Sequence, residues 1–170
     1  MKNKSISFYK SPIGLIKITS NTKGVTSVVF DDHEDPGKIF LKNDDIYPIL
    51  KECFTQIDEY FKGKRYKFSV KLAPEGTDFQ KTVWNELKAI SFGKTCSYLD
   101  IAKKIGKMTG SRAVGNANGK NPISIIIPCH RVIGSNKKLT GYAGGVWRKK
   151  WLLEHEQKVI WNKKYVTNVS

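Results

Sequence analysis

Three short apolar runs separated by polar turn residues open the chain: Ile6–Tyr9, Ile13–Thr19 and Val25–Phe30. Each is rich in β-branched or aromatic residues. Ser11-Pro12 and Asn21-Thr22-Lys23-Gly24 separate them, so the three predict an antiparallel meander. Asp31 to Asp45 is polar, contains Pro36-Gly37 and reads as a surface loop. The period then changes. Ile46, Ile49, Leu50, Cys53, Phe54, Ile57, Tyr60 and Phe61 recur at helical spacing, and Gly63 follows as a stop. Cys53 falls on that apolar face and belongs to the core. Phe68–Leu72 predicts one more strand, and Pro74-Glu75-Gly76 marks a boundary between two lobes.

Beyond the boundary the pattern is mainly helical. Thr77-Asp78-Phe79-Gln80 is a capping-box signature, and the helix it opens carries Phe79, Val83, Leu87 and Ile90 on one stripe. Ser97-Tyr98-Leu99-Asp100 is a second capping box, starting a short helix through Lys104 that Gly106 ends. Ser111 is placed to cap another helix, Arg112 to Asn118. Two short helices joined by a glycine-containing turn predict a helix-turn-helix. Ala113, Gly115, Ala117 and Gly119 make the second of these helices unusually small-sided, which implies close approach by another helix or by a nucleic-acid groove. Asn121-Pro122 resets the chain into a strand over Ile123–Ile127. Gly134 through Gly145 is a glycine- and lysine-rich loop suited to a pocket wall. Val146 to Lys158 reads as a closing helix, and Ile160 to Ser170 has no clear period.

Charge changes this picture. The chain has 170 residues and a formal net charge of +15. Residues 1–91 carry fifteen basic and twelve acidic side chains, whereas residues 92–170 carry fifteen and three. A near-neutral first half beside a strongly basic second half is the footprint of a polyanion-binding surface. Lys103, Lys104, Lys107, Lys120, Lys137, Lys138, Lys149 and Lys150 are read as solvated or phosphate-facing charge. Cys53, Cys96 and Cys129 are too few and too widely spaced for a disulfide framework, and neither they nor the three histidines have metal-ligand spacing. Cys96 is expected to be buried structure, and His33 and His155 ordinary surface or packing residues. No apolar run approaches the ~20 residues of a membrane span, and the N-terminus lacks a signal-peptide core. A cytoplasmic protein is expected.

The chemistry concentrates at Ile125-Ile126-Ile127-Pro128-Cys129-His130-Arg131-Val132. An apolar run stops at a proline, which presents Cys129 at the edge of a core. The ordinary reading of an isolated cysteine is a small buried hydrophobe. His130 and Arg131 beside it instead suggest an electropositive setting that lowers a thiol's pKa and makes it a nucleophile.

Phe79-Gln80, Val83-Trp84, Phe92-Gly93-Lys94-Thr95, Tyr98, Ser111-Arg112-Ala113-Val114-Gly115, Asn121-Pro122 and Pro128-Cys129-His130-Arg131-Val132 resemble the methylated-DNA–protein-cysteine S-methyltransferases, the O6-alkylguanine-DNA alkyltransferases. Thr140-Gly141-Tyr142-Ala143-Gly144-Gly145 and Trp151-Leu152-Leu153-Glu154-His155-Glu156 continue the resemblance, which covers residues 77 to 156. It implies an α/β (α+β) fold, with an N-terminal antiparallel-sheet lobe of ribonuclease H-like type over 1–75. Residues 76–170 would form a mainly helical DNA-binding and alkyl-acceptor domain with a helix-turn-helix of winged-helix type. The implied activity is single-turnover DNA repair, in which the alkyl group of O6-alkylguanine, and of O4-alkylthymine, passes irreversibly to Cys129.

The resemblance also implies roles. Cys129 is the acceptor, His130 its base through a bridging water, Glu156 the group that orients the imidazole, and Asn121 a support for the network. Tyr98 donates a proton or a hydrogen bond to the departing guanine at N3. Arg112 fills the space left by a flipped base, with Ser111, Ala113 and Gly115 against the minor-groove backbone. Tyr142, Val132, Ala143, Gly144 and Asn118 form the base pocket. Ala143 stands where many members have serine, so a backbone donor is kept and a hydroxyl is lost. No cofactor or metal is implied. The expected partner is double-stranded DNA containing O6-alkylguanine, met by a monomer away from membranes. Three other classes remain distinguishable. An alkyltransferase-like lesion binder would lack the acceptor cysteine. A thiol hydrolase would pair Cys129 with His130 directly, and a helix-turn-helix regulator would need sequence-selective binding.

Overall fold

The computed structural model describes residues 4–33 and 47–166. Most of the loop expected over Asp31–Asp45 lies outside them, as do Ile46 and residues 167–170. The chain forms two compact units, Met1–Thr77 with Pro122–Ile126, and Asp78–Asn121 with Ile127–Ser170.

In the first unit β1 (Ser5–Ser11), β2 (Gly14–Asn21) and β3 (Gly24–Phe30) form the expected antiparallel meander, paired in the order β1-β2-β3. The inward set of β1 is Ser5, Ser7, Tyr9 and Ser11, so the alternation turns Ile6 outward. Helix α1 (Tyr47–Phe61) packs on this sheet through Leu50, Cys53, Ile57 and Tyr60, while Phe61 stacks on Tyr9. Cys53 is fully buried, as its place on the apolar stripe requires, and burial followed by the charge of Glu52 pushes its thiol up to about 12.

Two expected strands are absent, for separate reasons. Over Phe68–Leu72 the Gln56 side-chain carbonyl accepts the backbone N–H groups of Ser69 (2.9 Å) and Val70 (3.2 Å). A side chain thus takes the donors a neighbouring strand would have used, and only an isolated bridge from Leu72 to Val25 remains. Gly24 makes that bridge possible: a Cβ there would lie 2.6 Å from the Lys71 carbonyl oxygen. Over Ile123–Ile127 a single bridge joins Ile123 to Val28, after which the chain turns. Ile125 adopts φ 71°, a region that β-branched side chains strongly disfavour, and Ile126 N–H donates back to the Ser124 carbonyl (2.8 Å). The isoleucines are buried all the same, because a short apolar run reports burial without reporting a ladder.

In the second unit α2 (Asp78–Lys88) buries Val83, Trp84 and Leu87, and the Trp84 indole donates to the Ala117 carbonyl (2.9 Å). Strand β4 (Cys96–Ser97) leads into α3 (Tyr98–Lys104), whose capping box is formed as expected: Ser97 Oγ accepts Asp100 N–H, and Asp100 accepts Ser97 N–H. Residues 105–110 turn through Gly106 into α4 (Ser111–Gly119), which packs on α2 and α3. Ser111 is the first residue of α4 rather than its cap. Gly110 holds the cap position and no side chain caps it.

A single 3-10 turn, Cys129–Arg131, leads to β5 (Val132–Ile133), which pairs in parallel with β4. Helix α5 runs over Val146–Val166, eight residues beyond the predicted end at Lys158. No helix among the described residues is long and apolar enough to cross a membrane.

Candidate active site around Cys129

Cys129 is held in a 3-10 turn between two sets of side chains. The turn exists because Pro128 cannot extend a strand and Cys129 N–H donates back to the Ile127 carbonyl (2.8 Å). Contrary to the edge position expected from sequence, Cys129 is only 4% exposed. Its thiol pKa is raised by burial, against which act a hydrogen bond with the Asn121 side chain, the charge of Lys149 and nearby backbone N–H groups. From sequence, this lowering influence is expected of His130 and Arg131. Both side chains are instead engaged with Glu156.

That engagement forms the first set. His130 Nε2 lies 2.8 Å from Glu156 Oε1, with both side chains fully buried. Arg131 donates from Nε to both carboxylate oxygens (3.2 and 3.1 Å) and from Nη2 to Oε1 (3.0 Å), while Nη1 reaches the Ile90 carbonyl (2.6 Å). Gly93 N–H donates to Oε2 (2.7 Å). Burial raises the Glu156 carboxyl, but the hydrogen bonds and charges of His130 and Arg131 outweigh it and hold the pKa at about 2. An ionised carboxylate only accepts, so His130 Nε2 carries the proton. Burial lowers the His130 pKa, only partly opposed by Glu156, which keeps the imidazole neutral. Its Nδ1 is then the basic nitrogen, and it is buried without a hydrogen-bond partner.

The second set lies around Tyr98, the first residue of α3. Its hydroxyl donates to the Thr140 carbonyl (3.2 Å), and burial raises its pKa. Lys149, read from sequence as solvated, is fully buried. Its Nζ donates to the Thr140 carbonyl (2.8 Å), and lies 3.4 Å from both the Gly141 carbonyl and Tyr98 Oη. Burial lowers its pKa to about 8, partly offset by Cys129. One signal could have found it: Lys149 precedes Glu156 by seven residues, which puts both on one helical face. Arg148 Nη1 holds the Gly144 carbonyl (2.9 Å), so the start of α5 grips the Thr140–Gly145 loop at three carbonyls.

The remaining site residues divide by burial. Asn121 Nδ2 donates to the Ile127 carbonyl (2.8 Å) and Asn118 Nδ2 to the Cys129 carbonyl (3.4 Å), tying the end of α4 to the cysteine turn. Val132 is buried, Tyr142 and Gly144 are half-buried and Ala143 is exposed. Ser111, Arg112 and Ala113 are exposed on α4. A Cβ on Gly115 would meet Tyr98 only at 3.8 Å, and one on Gly119 would meet nothing, so packing does not require glycine at either place. Cys96 is half-buried, not buried as expected, and lines an open hollow of about 370 Å³ with Asp100, Gly134 and Lys137. His155 stacks on Trp151. Among the described residues no group of three or more His, Cys, Asp or Glu side chains could hold a metal ion.

Residues 5–74 match the 6-O-methylguanine DNA methyltransferase ribonuclease-like domain, and residues 78–158 match the DNA binding domain of the same proteins. The chain belongs to the 6-O-methylguanine DNA methyltransferase family. It is 47% identical over 151 residues to the methylated-DNA–protein-cysteine methyltransferase of Methanosarcina acetivorans, covering 87% of this chain and 95% of that one. The Haemophilus influenzae protein of the same name is 38% identical over 152 residues, covering 88% and 84%. The crystal structure of Mycobacterium tuberculosis O6-methylguanine methyltransferase superposes with a TM-score of 0.80 at 40% identity, covering 92% of this chain and 94% of that chain. A second structure of the Mycobacterium tuberculosis protein, in complex with DNA, gives a TM-score of 0.79 at 40% identity, covering 89% and 92%.

Proposed function

We propose that this protein removes the alkyl group from O6-alkylguanine, and from O4-alkylthymine, in double-stranded DNA by transferring it to its own Cys129. The observation that carries the reading is the buried His130–Glu156 pair, one peptide away from Cys129, with the basic Nδ1 left unengaged. A neutral imidazole with an oriented tautomer is what a thiol needs to lose its proton. His130 takes that proton through a bridging water, and the thiolate attacks the alkyl carbon in line. The C–S bond forms, the C–O bond breaks, and the purine leaves with the bonding electrons. Tyr98 supplies a proton at N3, so guanine departs neutral. The Lys149 ammonium, within reach of Tyr98 Oη, favours that donation. A thioether is not hydrolysed, so each molecule acts once, without cofactor or metal.

The target base must leave the duplex to reach a thiol this buried. Arg112, exposed on α4, enters the minor groove and occupies the vacated stack, with Ser111, Ala113 and Gly115 close to the sugar–phosphate backbone. The room left at Gly115 supports this reading. Tyr142, Val132, Ala143, Gly144 and Asn118 receive the base. Residues 1–75 then serve as an N-terminal lobe and 76–170 as the DNA-binding and acceptor domain of a cytoplasmic monomer. The test is intact-mass spectrometry after incubation with duplex DNA containing O6-methylguanine. One methyl group should be added at Cys129 and none in Cys129→Ala. An unchanged mass for the intact protein would sink the proposal.

A further inference from the structure

Helix α5 continues to Val166, whereas the family match stops at residue 158, so its last two turns lie beyond the matched residues. The base of this extension is anchored on one face. Gln157 Nε2 donates to the Gly93 carbonyl (2.6 Å), and the Ile160 side chain occupies the space a Cβ on Gly93 would need. An adjacent stripe, Lys158, Trp161 and Tyr165, is exposed and follows helical spacing. Trp161 is 59% and Tyr165 54% exposed, and their ring centroids lie 4.9 Å apart at 34°. Lys163 and Lys164 are exposed on the same turns, and the sequence holds no acidic residue after Glu156.

Charge selects among possible occupants. A second copy of a chain carrying +15 would be repelled here. An apolar protein surface would offer nothing complementary to the positive charge of this turn. A polyanion with flat apolar faces satisfies both kinds of side chain. We propose that the end of α5 binds unpaired DNA nucleotides, with bases stacking on Trp161 and Tyr165 and phosphates meeting Lys158, Lys163 and Lys164. Each base stacked on an aromatic ring adds an increment of affinity largely independent of sequence, and the lysines make it salt-dependent. The inference rests on the reading that the protein works on DNA. It would give the protein a second hold on DNA at gaps or frayed ends, apart from the lesion pocket.

The test uses the full chain, an oligothymidylate of about eight nucleotides, and fluorescence anisotropy across a series of salt concentrations. The double variant Trp161→Ala/Tyr165→Ala should bind about 10-fold to 100-fold more weakly. Lys163→Glu/Lys164→Glu should weaken binding further as salt is lowered relative to wild type, the arm that reads the phosphate contacts. Transfer from free O6-benzylguanine to Cys129 should keep its wild-type rate in both variants. Oligothymidylate affinity within twofold of wild type in the aromatic variant overturns the proposal. So does loss of binding to phosphatidylserine-containing vesicles, or loss of self-association, without any loss on oligothymidylate. Failure of the wild-type protein to accept a methyl group from duplex DNA containing O6-methylguanine would remove the repair reading and leave the oligothymidylate result standing separately.

Discussion

The two flanks of Cys129 solve opposite electrostatic problems. On one side Glu156 is matched: a guanidinium neutralises it, and an imidazole and a backbone N–H complete its hydrogen bonds. On the other side Lys149 is buried on carbonyl oxygens and a phenol, with no carboxylate partner among the described residues. The first flank is therefore a fixed scaffold that sets one tautomer of His130. The second carries a cation whose proton is loosely held, beside the residue proposed to protonate the leaving base. On the proposed mechanism the site both takes up a proton and gives one away, and the two tasks fall on flanks that balance charge differently.

The largest test of this contrast is Glu156→Gln, which strands Arg131 in the interior. It should destabilise the protein by about 3–5 kcal/mol in urea unfolding, and a loss below about 1 kcal/mol would show that the flank is not a matched network. Glu156 also predicts acid sensitivity. Its folded pKa of about 2 lies below the ordinary 4.5, so its contribution is complete above about 4.5 and disappears as pH falls through about 2. Melting temperatures from pH 6 to 2 should show a decline that Glu156→Gln flattens.

Next in size, Tyr98→Phe should slow alkyl transfer about a hundredfold while leaving duplex affinity near wild type. Single-turnover kinetics beside a binding titration separate the two. An unchanged rate would remove Tyr98 as the donor.

The Lys149 flank predicts a pH effect of opposite sense. Its folded pKa of about 8 is below the ordinary 10.5, so burying the charged form costs stability below pH 8. That cost is relieved as pH rises from about 8 to 10.5. Lys149→Met should be more stable than wild type at pH 7 and should lose the rise, as melting curves across pH 7–10 would reveal. The smallest effect belongs to the support of Tyr98: Ser97→Ala removes one half of the capping box and should cost about 1 kcal/mol.

Much of this arrangement was legible in the sequence because it depends on local signals. The meander follows from short β-branched apolar runs and turn residues, and the start of α3 from Ser97 and Asp100 alone. The approach of Glu156 to His130 is a long-range contact that spacing cannot show, and it came from the family resemblance. Other features depended on neighbours. Gln56 consumes the donors of Ser69 and Val70, and Ile125 accepts a left-handed backbone, so two apolar segments that look like strands pair only through isolated bridges. Lys149 looked solvated because Arg148 and Lys150 surround it in a basic run. The register of α5 buries Arg148 and Lys149 and leaves Lys150 exposed.

Helix α5 carries both Lys149 and Glu156, seven residues and so about 10.5 Å apart along one rod. The acid-giving and acid-taking sides of the thiol cannot be retuned independently by moving that rod. A small slide along its axis would detune both at once, which makes the seating of a single helix the common dial for the chemistry.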